Sequence, residues 1–100
     1  MALETFPFDP AEFLDDVESQ VELVQDALDS GDVGYIAHAL GTVARARGMT
    51  QVAKDAGVTR EALYRALSSE GDPKLSTLLG VLKALGITLH AEKLLDTKAA

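Results

Sequence analysis

Apolar residues recur along this chain at intervals of three and four, and glycine interrupts each run. Leu14, Val17, Val21, Val24 and Leu28 mark one face, the period of an amphipathic helix, while Glu18, Glu22, Asp26 and Asp29 fall largely on the other side. The run stops at Ser30-Gly31, where glycine suits the left-handed position that closes helices. Asp32 then caps a second helix whose inward stripe is Val33, Ile36, Ala37, Leu40, Val43 and Ala44. It ends at Gly48 behind Arg45 and Arg47, two cations that suit the negative end of a helix dipole. Thr50 starts a short third helix that ends at Ala56-Gly57. Thr59 caps a fourth, with Leu63, Ala66 and Leu67 inward, because a threonine hydroxyl can accept from the unpaired first-turn amides. Ser68 to Pro73 is a loop of turn formers. Leu75, Leu78, Leu79, Leu82 and Leu85 give the stripe of a fifth helix, closed by Gly86.

The flanks read differently. Phe6-Pro7-Phe8-Asp9-Pro10 holds two prolines, which restrict themselves and the residues before them, so it predicts an extended arm. Asp9 and Pro10 make an N-cap and first-position pair that opens a helical turn through Phe13 and Leu14. Ile87-Thr88-Leu89-His90-Ala91 alternates apolar with polar residues, a strand pattern that needs a partner strand, for which a second copy is the candidate. The fold class expected is all-α: five short helices in one domain of residues 1–100, with a short C-terminal strand used in dimerisation. Within it, residues 1–13 form the arm and first turn, 14–48 the acidic helices, 49–67 the central pair and 74–91 the closing helix and strand.

Composition narrows this reading. At 100 residues and 47% hydrophobic, the chain buries one small core and is neither a disordered tail nor a fibre. Without cysteine it has no disulfide framework and no thiolate metal site. The N-terminus carries no positive charge and no long apolar run, so no secretory signal is expected. No apolar stretch approaches the ~20 residues that span a bilayer, and a soluble cytoplasmic protein is expected.

Net charge is −7, which opposes nucleic-acid binding until its distribution is considered. Residues 1–44 hold ten acids and no lysine or arginine; residues 45–100 hold all nine bases against six acids. An acidic front half and a mildly basic back half suit two surfaces with different partners, although acidic faces also serve solubility alone.

The basic half contains the segment with chemical meaning, Met49-Thr-Gln-Val-Ala-Lys-Asp-Ala-Gly-Val-Thr-Arg-Glu-Ala-Leu-Tyr-Arg-Ala-Leu67. A helix-turn-helix needs small residues where its helices cross, here Ala53 and Ala56. It needs glycine where the chain reaches positive φ, here Gly57, four residues after Ala53. Val52, Val58, Leu63 and Ala66 lock the second helix onto the first. Thr59 leaves a helix start suited to a phosphate. Arg60, Glu61, Tyr64, Arg65 and Ser68 form a polar face opposite Leu63 and Leu67, the face that a recognition helix presents to the major groove. There, Arg60 or Arg65 is suited to guanine, Glu61 to the amino group of cytosine, and Tyr64 to phosphate or a thymine methyl. Thr50, Gln51 and Lys54 on the preceding helix are the backbone-positioning residues. The plainer alternative is a helical hairpin in which Glu61 and Arg65, spaced i, i+4, pair with each other.

The strings Phe8-Asp-Pro-Ala-Glu-Phe-Leu14, the Gly31-Asp32 break, Ala44-Arg-Ala-Arg-Gly-Met-Thr-Gln51, Gly57 through Leu67 and Leu82-Lys-Ala-Leu-Gly86 together resemble the addiction-module antidote proteins. These are small HigA-like antitoxins with a phage-repressor (Xre-type) helix-turn-helix. The resemblance runs from about Phe8 to Leu89. It implies a toxin–antitoxin pair, in which the antidote neutralises a small basic ribonuclease-type toxin and, as a homodimer on a palindromic double-stranded DNA operator, represses their shared promoter. By position, Thr59, Arg60, Glu61, Tyr64 and Arg65 become the operator-reading residues. In one departure, Gln51 precedes the turn glycine by six residues, whereas many phage-type repressors place a glutamine eight residues before it. The acidic N-terminal half then gains a role in steering a basic toxin, with Phe6, Phe8 and Phe13 as anchors or as caps on the chain's own core.

An enzyme needs a reactive constellation, and none is expected. His38 lies beside apolar residues of the second helix and His90 in the strand pattern. Ser76, His90 and Asp96 supply triad residue types without a nucleophile elbow. Asp15 and Asp16 are adjacent, so on a helix their side chains diverge. No phosphate-binding glycine loop and no metal-ligand spacing is present, and no cofactor is expected. Two other readings stay open: a stand-alone helix-turn-helix regulator without a toxin, and an interaction module that does not bind DNA.

Overall fold

The computed structural model describes residues 16–94. Among them are five helices and no strand: α1 (Val17–Ser30), α2 (Val33–Arg47), α3 (Met49–Ala56), α4 (Arg60–Ala66) and α5 (Leu75–Leu85). The N-terminal arm and the helical turn through Phe13 and Leu14 lie outside the described residues.

Capping sets the boundaries. Asp16, Asp32 and Thr59 each accept a backbone N–H three residues on: Ser19 at 3.1 Å, Tyr35 at 3.2 Å and Ala62 at 3.0 Å. Such caps satisfy amides that the first helical turn leaves unpaired. Helices α1 and α2 are separated only by Gly31 and Asp32 and pack together, while α5 lies chiefly on α3. Between α2 and α3 the chain turns at Gly48 alone, at φ +114°, a conformation that side chains rarely adopt.

The core is drawn from all five helices: Val24; Leu40, Val43 and Ala44; Met49, Val52 and Ala53; Leu63 with Leu67; Val81, Leu82 and Leu85. Helix α2 is its centre, buried at every position from Ala39 to Ala44. That stretch is covered all round and has no polar side to show, so Thr42 turns its hydroxyl back to the His38 carbonyl at 3.0 Å.

Three expected faces are corrected. In α1 the buried residues are Gln20, Val24 and Ala27, whereas Val17 and Val21 are 59% and 40% exposed. The helix is turned about one position because Gln20 has a partner inside: its Oε1 accepts from the Arg47 Nε at 2.7 Å. The same guanidinium donates to the Leu85 carbonyl at 2.9 Å, satisfying an acceptor that the end of α5 leaves open. In α2, Val33 is exposed rather than inward. In α5, Leu75 and Leu79 face outward, at 68% and 49%, and Val81 takes the core position. Residues 87–94 form neither helix nor strand within the chain, so the alternating pattern of Ile87 to Ala91 finds no ladder among the described residues. No described helix is long and apolar enough to cross a membrane.

Candidate nucleic-acid interface

The link from α3 to α4 is fixed by a hydrogen-bond pattern that only one kind of residue accommodates well. Gly57 sits at φ +77°, ψ +27°, the left-handed region in which a Cβ is penalised. Its N–H donates to the Lys54 carbonyl at 3.2 Å, and the next amide, Val58, reaches back to Ala53 at 3.0 Å. This double closure ends α3 and returns the chain at once toward the core, where Val58 packs. Thr59 then restarts the helix. Leu63 and Leu67, 0% and 4% exposed, hold α4 by its inner side.

Fixing that inner side determines what α4 shows to solvent. Thr59, Arg60, Glu61, Tyr64, Arg65 and Ser68 are all exposed, and so are Thr50, Gln51 and Lys54 on α3. The nine predicted site residues are thus all on the surface, while Val52, Ala53 and Leu63, which lie between them in sequence, are buried. Within the ridge, Arg60 and Tyr64 meet: the guanidinium carbon is 5.5 Å from the ring centre, and Nη2 lies 3.4 Å from the phenol oxygen. Glu61 and Arg65 are joined by no ion pair among the described residues, so the pairing that a plain helical hairpin would use is not made. Gln51 is turned along its own helix, donating to Asp55 at 2.9 Å.

Two grooves run beside α4. Tyr64 and Ser68 share one with His38, Gly41 and Arg45 of α2. Arg65 shares the other with Asp72, Lys74 and Thr77, at the start of α5. The first groove depends on α2 residues that the sequence did not mark as part of this site. Gly34, His38, Gly41 and Arg45 lie at spacings of four, three and four, hence on one helical face. The backbone at the end of α4 lies directly against its glycines. A Cβ on Gly34 would stand 2.6 Å from the Ser69 carbonyl oxygen, and one on Gly41 would stand 2.5 Å from that of Leu67. Two glycines seven apart inside one helix were the available signal. No group of His, Cys, Asp and Glu that could hold a metal ion occurs among the described residues.

The model of the family described as "probable addiction module antidote protein" matches residues 4–93. The chain belongs to that family. It is 41% identical over 86 residues to an uncharacterised protein of Haemophilus influenzae, covering 86% of this chain and 89% of that one. No solved structure matches it significantly.

Proposed function

We propose that this chain is the DNA-binding antitoxin of a toxin–antitoxin module. Residues 49–67 act as a phage-repressor (Xre-type) helix-turn-helix, and α4 enters the major groove of double-stranded DNA. The observation that carries this reading is the ridge of α4: four polar side chains, two of them arginines, stand exposed on a helix whose opposite side is locked by Leu63 and Leu67. A rigidly seated short helix with a polar outer face is what groove insertion requires. Arg60 and Arg65 read guanine, Glu61 reads cytosine, and Tyr64 and Ser68 hold the backbone. Thr50, Gln51 and Lys54 line the phosphates from α3, Gln51 after giving up its bond to Asp55.

Family membership supports the second half of the proposal, a toxin partner. That toxin is small and basic, of ribonuclease type, and the antidote represses the promoter they share. The acidic residues of α1, Glu18, Glu22, Asp26 and Asp29, offer such a toxin a complementary field. Binding to a palindromic operator implies a homodimer, because one small module buries too little surface for useful specificity. The outward Leu75, Leu79 and Leu89 are the apolar positions that such a dimer would cover. The chain itself performs no catalysis and works in the cytoplasm, without a cofactor.

Co-expression tests the toxin claim. The product of a small basic reading frame beside the gene should co-purify with this chain and lose its toxicity; failure to associate would leave a stand-alone regulator. Competition of a duplex from upstream of the gene against a scrambled duplex tests the operator claim, and equal affinity for both would refute autorepression.

A further inference from the structure

Helix α5 ends at Gly86, and the amide of Ile87 closes it by donating to the Leu82 carbonyl at 2.9 Å. Beyond that bond, the backbone of residues 88–94 makes no hydrogen bond among the described residues. The segment holds no proline, so every amide in it is able to donate. Apolar surface lies open beside it. Ile87 and Leu89 line one groove with Leu79 and Leu82 of α5, and Leu79 and Leu89 are 49% and 42% exposed. Unpaired backbone next to an open apolar groove is the arrangement that takes up a further strand.

We propose that residues 87–91 join two copies of this chain, pairing antiparallel with the same residues of the second copy and with Leu89 on the two-fold axis. The inference rests on the homodimer reading above and names the element that joins it. Self-complementarity is what selects a second copy as the occupant. A two-fold interface sets each residue opposite a fixed counterpart, and side chains directly opposite in a ladder share one face. A register centred on Leu89 sets Leu89 against itself, Ile87 against Ala91 and Thr88 against His90. Apolar positions thus meet apolar ones, and polar meet polar. A slip of one residue opposes Leu89 to His90 or to Thr88 and mixes the two faces. Centring on His90 opposes Ile87 to Lys93. Centring on Thr88 draws Gly86 into the ladder, at a φ of +74° that no strand uses. A two-stranded ribbon alone is marginal in water, but here its apolar side rests on the α5 groove of each copy.

The test is sedimentation equilibrium of the full chain, with helix content from circular dichroism as the check on folding. Wild type should sediment as a dimer. Leu89→Lys and Leu89→Glu should each sediment as a monomer, at half that mass, because like charges then face each other across the axis. Mixed in equal amounts, the two variants should recover the dimer, since each lysine then meets a glutamate. A dimeric Leu89→Lys would overturn the proposal and leave the homodimer reading standing. Monomers that stay apart on mixing would overturn it too, since Leu89 would then not face itself. A monomeric wild type would end both the proposal and the homodimer reading, leaving the segment to a strand of another partner.

Discussion

The Arg60 guanidinium lies over the Tyr64 ring, 5.5 Å from its centre, one turn apart on the exposed side of α4. The pair ties two exposed side chains of α4 to each other. At an exposed site such a contact is worth about 0.5–1 kcal/mol, small beside the stability of a domain. Its consequence lies in preorganisation: a long arginine held in place loses less entropy when it meets a base.

Tyr64→Ala should therefore leave thermal stability nearly unchanged, with a loss of no more than about 1 kcal/mol, yet weaken DNA binding by about tenfold. Tyr64→Phe keeps the ring and should lose less. Parallel thermal melts and anisotropy titrations would check this, and a variant that loses stability without losing affinity would contradict it.

Gly41 should not tolerate a methyl group. A Cβ there would lie 2.5 Å from the Leu67 carbonyl oxygen and 3.3 Å from the Leu67 Cβ. Alanine gains roughly 1 kcal/mol over glycine in a helix interior, but the overlap forces α4 away from α2, and overpacking of this kind costs about 1–3 kcal/mol. Gly41→Ala is expected to lower the urea midpoint, and an unchanged or raised midpoint would show that α4 can move freely.

The corrected face of α1 yields a paired prediction. Val21→Ser should change stability by no more than about 0.5 kcal/mol, since Val21 is 40% exposed. Val24→Ser should cost about 1.5–3 kcal/mol, because Val24 is 2% exposed within the core. Equal costs in denaturant titrations would restore the face that periodicity alone suggests.

That difference also shows what the sequence could and could not reveal. The helix ends were legible, because Asp32, Thr59, Gly31, Gly57 and Gly86 act on backbone groups one to four residues away. The inner side of α4 was legible too, since a seven-residue helix has room for one apolar stripe. The face of α1 was not, because it depends on Arg47 meeting Gln20, 27 residues apart, and on the end of α5. Period alone ranks a valine above a glutamine for burial, and only tertiary hydrogen bonding reverses that order. Arg45 was hidden for the same reason: in sequence it is a C-terminal helix cation, and only packing brings it beside Tyr64.

Acid should remove the N-terminal cap of α1. The Asp16 carboxylate is held below its ordinary value of 3.8 by accepting from Ser19, through both its side chain and its backbone. A carboxyl depressed in the folded state stabilises it fully above the ordinary value, and that stabilisation disappears as pH falls through the folded value. The melting temperature of Asp16→Ala should accordingly lie below wild type at neutral pH, and the gap should begin to narrow as pH falls below about 4 and close below the depressed folded value. A gap that persists undiminished at lower pH would mean that the carboxylate does not cap the helix.

The central claim is that α4 carries a DNA-binding surface, and salt-dependent anisotropy on the duplex upstream of the gene tests it most directly. A dimer making roughly 6–10 phosphate contacts should lose on the order of 10³–10⁵ in affinity between about 50 and 200 mM salt. Arg60→Ala/Arg65→Ala, folded to the wild-type melting temperature, should abolish the preference for that duplex over a scrambled one. Affinity indifferent to salt and to the double substitution would contradict the claim.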